Sequence, residues 1–235
     1  MNSFLTELTP MLKNFPDYNE EETVDEIRHK STVLHLGLDF GRLDDEADVN
    51  MVERKKPLII WNHRWEYDKN PADFFNALCI LSDRGLDFDL AVLGENFRKE
   101  PLEFDEAKKK LVKHIVHFGY AKNFSSYASW LWRADIMPVT CRQDFFGGSV
   151  VEGIYCNTYP LLPERLAYPE HLPKEKHAEF FYHDFDDLLK RLESAVRNVD
   201  RLRKEDVSSH VRRYGWHTMA NEYDDLFAGI VSSNK

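Results

Sequence analysis

The chain has 235 residues, 43% of them hydrophobic, and its 31 lysines and arginines against 41 aspartates and glutamates give a net charge of −10. This length and apolar content predict a folded domain with its own core and exclude a disordered chain, while the acidic balance argues against non-specific nucleic-acid binding. Three widely spaced cysteines without a C-x-x-C pair indicate reduced thiols. Because the chain shows neither a signal-peptide pattern nor an apolar run of about 20 residues, we expect a cytoplasmic protein without a membrane segment.

The first 50 residues differ from the rest of the sequence. Apolar residues recur at helical spacing from Phe4 to Phe15, which predicts an amphipathic helix over residues 3–15 that ends at Pro16. After it we expect an acidic linker or solvated helix face at 17–26, a short strand at 33–36 and a connection at 40–56.

From Pro57 onward, short apolar runs alternate with helical patterns. The predicted strands lie at 58–61, 89–93, 115–118, 136–139 and 158–162. One predicted helix begins at Pro71 and another includes Tyr127. Further helices are predicted at 103–112, 149–156, 185–198, 203–213 and 216–229. This alternation predicts an α/β fold with a parallel sheet and helices on both faces. The loops 62–70, 94–97, 119–123 and 140–149 each follow a strand, so they should line one crevice at the carboxyl ends of the strands.

The loop 62–70 carries the first candidate binding site. It contains two cations, Arg64 and Lys69, and it leads into a helix whose first turn holds Pro71. The amides and dipole of a helix N-terminus favour an anion, so this loop suits a phosphate or diphosphate. The alternative is a solvated loop in which Arg64 pairs with Glu66 or Asp68.

A glycine loop carries the second candidate site. Gly147 and Gly148 allow a ligand to approach the backbone, and the helix that follows offers amides to a phosphate. Glu152 lies one turn into that helix and suits a ribose diol, while Asp144 at the other end of the loop suits sugar hydroxyls. The alternative is a glycine turn with a surface acid at each end.

Together the two sites resemble a known enzyme family. Asp144-x7-Glu152 is similar to the E-x7-E signature of retaining GT-B glycosyltransferases of the GT4 type, with a shorter first acid. Arg64 and Lys69 have the spacing of the Arg and Lys in the first loop of that family's C-terminal domain, and His63 stands where Gly is usual. The stretches that resemble the tRNA-queuosine mannosyltransferases more specifically are 62–71, 143–147, 149–152 and 159–163, within a similar region of about 57–170.

This resemblance implies a Rossmann-like C-terminal half of a GT-B enzyme that transfers mannose from GDP-mannose to queuosine in tRNA. Arg64 and Lys69 would bind the donor diphosphate, Glu152 the ribose and Asp144 the donor sugar, with Arg64, Lys69 and Asp144 as the catalytic residues. The remaining donor-binding residues implied are His63, Gly119, Tyr120, Gly147, Gly148, Ser149 and Val150. Because cations and helix amides would stabilise the leaving diphosphate, no cofactor and no metal are implied.

The expected organisation is an N-terminal helix and linker over residues 1–50, left from a preceding domain, and a nucleotide-sugar-binding domain over 51–235. At ordinary domain sizes the chain is too short for two such domains, so we expect it to lack the acceptor half. The alternatives left open are a nucleotide-sugar-binding module without activity, a transferase with another donor and acceptor, a GT-B-shaped epimerase and a metal-dependent GT-A transferase. The Asp87-Phe88-Asp89 signature of the last class precedes a strand, which is the wrong end for a ligand crevice. The oligomeric state is left open.

Overall fold

The computed structural model describes residues 2–17, 20–47, 54–95 and 102–233. They fall into two compact units, one made of Met1–Leu36 with Ala220–Lys235 and the other of Gly37–Met219. The boundary predicted between residues 50 and 51 lies outside the described residues, as does the end of the loop predicted at 94–97.

Eleven α-helices can be described in these ranges. They are α1 Asn2–Lys13, α2 Thr23–Lys30, α3 Gly41–Asp44, α4 Pro71–Asp83, α5 Leu102–Lys110, α6 Phe124–Arg133, α7 Gly148–Tyr155, α8 His177–Phe180, α9 Phe185–Arg197, α10 Val199–Leu202 and α11 Trp216–Ser233. Among the described helices, none is both long enough and apolar enough to span a membrane.

The smaller unit contains α1, α2 and most of α11. The N-terminal helix is confirmed, although it ends at Lys13 and holds Pro10 in its interior. The strand predicted at 33–36 is wrong, because these residues join no sheet and Val33 and Leu36 remain about half exposed. Short apolar runs form strands only where a neighbouring strand pairs with them, and the sequence does not show that neighbour.

The larger unit is built on a six-stranded parallel sheet, which confirms the predicted α/β architecture. The strands are β1 Leu58–Trp61, β2 Asp89–Leu93, β3 Ile115–Gly119, β4 Ile136–Pro138, β5 Tyr159–Pro163 and β6 Phe181–Tyr182. Every residue of β1, β4 and β5 is buried, as expected for strands covered by helices on both faces. β6 was not predicted, since two residues carry no periodicity.

The strand order is β3-β2-β1-β4-β5-β6. The order reverses between β1 and β4, and open parallel sheets bind ligands outside the carboxyl ends of the strands at such a switch point. The loops that follow β1 and β4 are those that carry the two predicted sites. The topology therefore places both motifs at the expected crevice.

The opposite, amino edge of the sheet is held by charge pairs. Asp135, just before β4, accepts a 2.7 Å hydrogen bond from the amide of Leu58 and pairs with Arg203 and Arg54 at 2.9 and 3.2 Å. Asp87 also lies at this edge, where it pairs with Lys56 at 2.8 Å. The D-x-D sequence is therefore remote from the crevice, as expected.

The helix predicted at 203–213 is wrong. This stretch follows α10 and forms two separate 3₁₀ turns, Ser208–His210 and Arg212–Tyr214. The Asp206 carboxylate accepts hydrogen bonds from Ser208 Oγ at 2.6 Å and from the amide of Ser209 at 3.2 Å. Such local side-chain bonds satisfy the backbone outside a helix and compete with helix formation.

Candidate nucleotide-sugar site at the sheet switch point

The loops after β1 and β4 are joined by hydrogen bonds. The amide of Arg142 donates to the carbonyl of Asp68 at 2.7 Å, and the Thr140 hydroxyl donates to the carbonyl of Lys69 at 2.9 Å. Lys69 Nζ donates in turn to the carbonyl of Gln143 at 2.8 Å. The two motifs, more than 70 residues apart in the chain, thus form one connected rim.

Lys69 is a nearly buried cation at the centre of this rim, with 10% of its side chain exposed. Its Nζ lies 3.2 Å from Asp68 Oδ2 and 3.5 Å from Asp144 Oδ2. Burial alone would lower the pKa of Lys69, but the surrounding groups of Cys141, Asp144 and Asp68 outweigh it and raise the pKa. Lys69 therefore stays protonated at the carboxyl edge of the sheet.

Asp144 is fixed from two sides. Its Oδ2 accepts a 3.2 Å hydrogen bond from the Tyr168 hydroxyl in addition to the contact with Lys69. The same Tyr168 ring supports the glycine loop, since a Cβ added to Gly147 would lie 2.9 Å from Tyr168 Cε1. Gly147 also has a φ of +79°, a conformation that glycine adopts without strain. Both features explain why this loop needs glycine beside Tyr168.

His63, in the loop after β1, contacts residues that follow β4. It is 5% exposed, with Nδ1 3.3 Å from Ser149 Oγ and Nε2 3.8 Å from Cys141 Sγ. Burial, and then the charge of Lys69, lower the pKa of His63 to about 4. The imidazole is therefore neutral near pH 7, and it can orient the Ser149 hydroxyl without adding a charge.

The N-terminus of α7 faces this rim. The amides of Gly148 and Ser149 lie in the first turn of α7, where the helix provides no earlier carbonyl to accept their hydrogen bonds. They therefore suit an anionic oxygen. The resemblance assigns the Val150 residue to donor binding, but its amide already donates to the carbonyl of Gly147 at 2.8 Å. The start of the helix is anchored to β1, since Asn62 Nδ2 donates to the carbonyl of Ser149 at 2.7 Å.

Glu152 lies one turn further along α7. Its Oε2 accepts a 2.6 Å hydrogen bond from the hydroxyl of Tyr127 on α6. Burial raises the pKa of Glu152, opposed by the Tyr127 hydrogen bond and by the charge of Arg42. The carboxylate is thus held in one orientation at the same edge of the sheet as Lys69.

Three predicted residues lie apart from this cluster. The side chain of Arg64 is 59% exposed and pairs with Glu66 at 3.2 Å, as in the alternative interpretation of the loop. Gly119, with a φ of +130°, ends β3 and the exposed Tyr120 follows it, two strands away from β1. They share the carboxyl edge of the sheet with the cluster without joining its hydrogen bonds.

The structure adds partners to which the sequence reasoning gave no role. Asn62 follows the predicted strand 58–61 directly and Cys141 lies two residues after the predicted strand 136–139, so their positions in the loops are a usable signal. Tyr127 is predicted only as part of a helix, and Tyr168 follows β5 in a short 3₁₀ turn without a pattern. Over the described ranges, no group of three or more His, Cys, Asp or Glu side chains is arranged to hold a metal ion.

Comparisons with known proteins give one family match and one curated relative. A family model described as tRNA-queuosine alpha-mannosyltransferase N-terminal matches residues 1–38. The chain is 33% identical over 210 residues to a tRNA-queuosine alpha-mannosyltransferase of Drosophila melanogaster, a match that covers 87% of this chain and 54% of the relative. The chain thus spans about half the length of that curated relative.

Solved structures with the same fold include two glycosyltransferases. Sucrose-phosphate synthase from Thermosynechococcus elongatus matches with a TM-score of 0.69 at 13% identity, over 88% of this chain and 56% of that one. Anabaena Alr3699/HepE, solved in complex with UDP, matches with a TM-score of 0.65 at 12% identity, over 84% of this chain and 57% of that one. The sheet and its helices therefore have the architecture of a GT-B glycosyltransferase domain.

Proposed function

We propose that this chain belongs to the tRNA-queuosine alpha-mannosyltransferase family and is the donor-binding part of a retaining hexosyltransferase that moves mannose from GDP-mannose to queuosine in tRNA. The name of the curated relative and the glycosyltransferase fold support the transferase class. GDP-mannose as donor, retention of configuration and the GT4 type rest on the resemblance of the two motifs. A tRNA acceptor and the free thiols of Cys79, Cys141 and Cys156 make the cytoplasm the proposed compartment.

One observation carries the donor site: a buried cation and a helix N-terminus lie at the same edge of the sheet, on loops that follow neighbouring strands. Lys69 comes from the loop after β1, and the amides of Gly148 and Ser149 come from the loop after β4. His63, in contact with Ser149 at 3.3 Å, joins the two parts. Paired phosphates are the ligand that suits a lysine and free helix amides together.

The proposed reaction follows from where charge develops. Cleavage of the bond between mannose and phosphate leaves an oxocarbenium-like sugar and increases the negative charge on the diphosphate. Lys69 and the α7 amides are fixed before the reaction, so they stabilise this charge without reorganising. Arg64 would leave Glu66 to pair with the diphosphate once the donor is bound. In this proposal no divalent metal is needed.

The two carboxylates have separate roles in the proposed complex. Glu152 uses Oε2 for Tyr127, which leaves Oε1 to accept from a ribose hydroxyl. Asp144 uses Oδ2 for Tyr168 and Lys69, which leaves Oδ1 to accept from a hydroxyl of the donor sugar. Gly147 and Gly148 let the sugar approach the backbone, and Gly119 and Tyr120 would line the base.

Thermal unfolding with GDP, GDP-mannose, UDP and UDP-glucose tests the donor site. A ligand at 100 times its Kd stabilises a protein by about 2.7 kcal/mol, so GDP ligands should raise the Tm and UDP ligands should not. Lys69→Ala should remove the shift, whereas Lys56→Ala, a lysine paired with Asp87 at the opposite edge of the sheet, should keep it. The shift should persist in EDTA. If no nucleotide raises the Tm of the wild-type chain, the proposal fails.

A nucleotide-sugar-binding module without activity is the second candidate, because the residues assigned above all have their roles at the donor. GT-B enzymes bind the acceptor mainly through a second domain, so donor binding and transfer are separable. Transfer of mannose to queuosine-containing tRNA by this chain alone would exclude the second candidate. Donor binding without transfer would support it.

A further inference from the structure

Two exposed aromatic rings stand on the rim of the proposed donor site and have no part in it. Tyr67, in the loop after β1, is 80% exposed, and Phe145, in the loop after β4, is fully exposed. A single exposed aromatic is ordinary, but these two lie on loops that meet at the switch point. Both precede residues assigned to the donor: Tyr67 by two positions before Lys69, and Phe145 by two before Gly147.

The backbone next to both rings is held by hydrogen bonds and packing. The carbonyl of Asp68, the residue after Tyr67, accepts from the amide of Arg142 at 2.7 Å. Phe146, the residue after Phe145, packs its ring 5.2 Å from that of His171, whose Nε2 lies 2.6 Å from the Phe146 carbonyl. With its neighbour anchored inward, Phe145 is presented outward. An anchored backbone reduces the entropy lost when a ligand covers the ring, because only the side-chain rotamer remains to be ordered.

The exposed charges beside these rings are positive, although the chain carries −10 overall. In the described loops 62–70 and 139–147, the exposed charged side chains belong to Arg64 and Arg142. The acidic side chains of the same loops are partly buried in the ion pairs with Lys69 and Arg64. Aromatic rings next to guanidinium groups are the combination that binds unpaired bases and their phosphates in single-stranded RNA loops.

We propose that Tyr67 and Phe145 form a stacking platform for an unpaired base of the acceptor's single-stranded loop. The exposed guanidinium of Arg142, whose Nη2 donates to Asn70 Oδ1 at 3.3 Å, would pair with the adjoining phosphate. This inference rests on the proposed tRNA acceptor and identifies which part of the RNA this chain contacts. Stacking requires no hydrogen-bond readout, so it would position the loop at the donor sugar without selecting its sequence.

The test is binding of a fluorescein-labelled, queuosine-containing anticodon stem-loop to the whole chain, followed by fluorescence anisotropy. Phe145→Ala and Tyr67→Ala should each weaken binding about tenfold, within the range measured for loss of one base–aromatic stack. Phe145→Trp should restore binding and Phe145→Leu should not, because leucine keeps apolar area without a π-face. Val112→Ala, which truncates a 70% exposed apolar residue after α5, serves as the control.

The outcomes separate this inference from the donor proposal. Equal RNA affinity of Phe145→Ala and wild type overturns the platform, as does a wild-type chain that binds GDP but no stem-loop. If Phe145→Ala instead weakens GDP-mannose relative to GDP while RNA binding is unchanged, the ring contacts the donor sugar and the inference is wrong. A chain that no nucleotide stabilises contradicts the proposed function, whatever the RNA result.

Discussion

The hydroxyl of Tyr127 lies 2.6 Å from Oε2 of Glu152 and donates a hydrogen bond to it. Burial and the adjacent carboxylate raise the pKa of Tyr127 well above its ordinary value, so the phenol keeps its proton. The same hydrogen bond lowers the pKa of Glu152 against the effect of burial. The pair therefore fixes a carboxylate, with one free oxygen, where the ribose of the proposed donor would lie.

Replacing Tyr127 by Phe should weaken binding of GDP about tenfold, since hydrogen bonds to charged groups contribute about 1.5–3 kcal/mol. Without the phenol, the pKa of Glu152 rises and its orientation is lost. Isothermal titration with GDP and with a 2′,3′-dideoxy analogue measures this, because the analogue lacks the ribose hydroxyls and should bind both proteins alike. Tyr155→Phe is the matched control, as its hydroxyl bonds Asp44 at 3.0 Å from the same helix as Glu152. An equal loss of affinity for both ligands would show that Glu152 does not contact the ribose.

Tyr168→Phe should reduce the preference for GDP-mannose over GDP, because the variant removes one of the two side chains that hold the Asp144 carboxylate. Tyr182→Phe removes another buried phenol hydroxyl, which donates to the carbonyl of Val139 at 2.7 Å. Each variant should lower the free energy of unfolding by about 1 kcal/mol in urea titrations. Only Tyr168→Phe should change the ratio of the two affinities. A changed ratio in the Tyr182 variant would point to general loosening instead.

Substitutions at two glycines distinguish the cost of backbone strain from the cost of a steric clash. Gly85 and Gly147 have φ of +77° and +79°, but a Cβ on Gly85 meets nothing within 4 Å, whereas one on Gly147 would lie 2.9 Å from Tyr168. Gly85→Ala should cost about 1–2 kcal/mol, the penalty of the left-handed conformation. Gly147→Ala should cost about 1–3 kcal/mol more, the range for overpacking. Chemical denaturation of both variants measures the difference, and equal costs would show that the Tyr168 ring moves aside freely.

Much of the larger unit could be predicted because every residue of β1, β4 and β5, and nearly every residue of β2, is buried. β1 and β2 appear in the sequence as apolar runs between polar loops, and a parallel sheet collects the carboxyl ends of its strands at one edge. That rule alone predicts that Lys69, Asp144 and Glu152 lie at the same edge of the sheet. The side chains that hold them could not be predicted, since Tyr127 and Tyr168 approach from α6 and from a short turn whose packing is tertiary.

Arg64 shows that the spacing of a motif does not fix the contacts of its side chains. Its position five residues before Lys69 matches the resemblance, yet spacing along a loop does not fix where a long side chain points. Lys69 is buried among acids, while Arg64 faces solvent beside Glu66. The strand predicted at 33–36 failed for a related reason: local apolar pattern specifies the possibility of pairing and not the partner.

His63 should make the protein sensitive to mild acid. Its pKa in the folded state is about 4, against 6.5 for an exposed histidine, because burial and the nearby charge of Lys69 disfavour the imidazolium. Between these values the unfolded chain binds more protons, so the free energy of unfolding rises with pH. The stability gained from keeping His63 neutral is fully present above pH 6.5 and is lost as the pH falls towards 4. The total change in the free energy of unfolding is roughly 3 kcal/mol.

A neutral substitute at this position should flatten that dependence. His63→Gln keeps hydrogen-bonding atoms near Ser149 Oγ but cannot take up a proton, so the variant should lack the share of acid destabilisation that His63 supplies. Urea denaturation at several values between pH 4 and 7 gives the slope for wild type, for the variant and for His183→Gln, whose imidazole is 69% exposed. The slope, and not the absolute stability, is the readout, because the substitution also changes packing. Parallel curves for wild type and His63→Gln would mean that the imidazole takes up its proton in the folded state without cost, and that it reaches solvent or a carboxylate in acid.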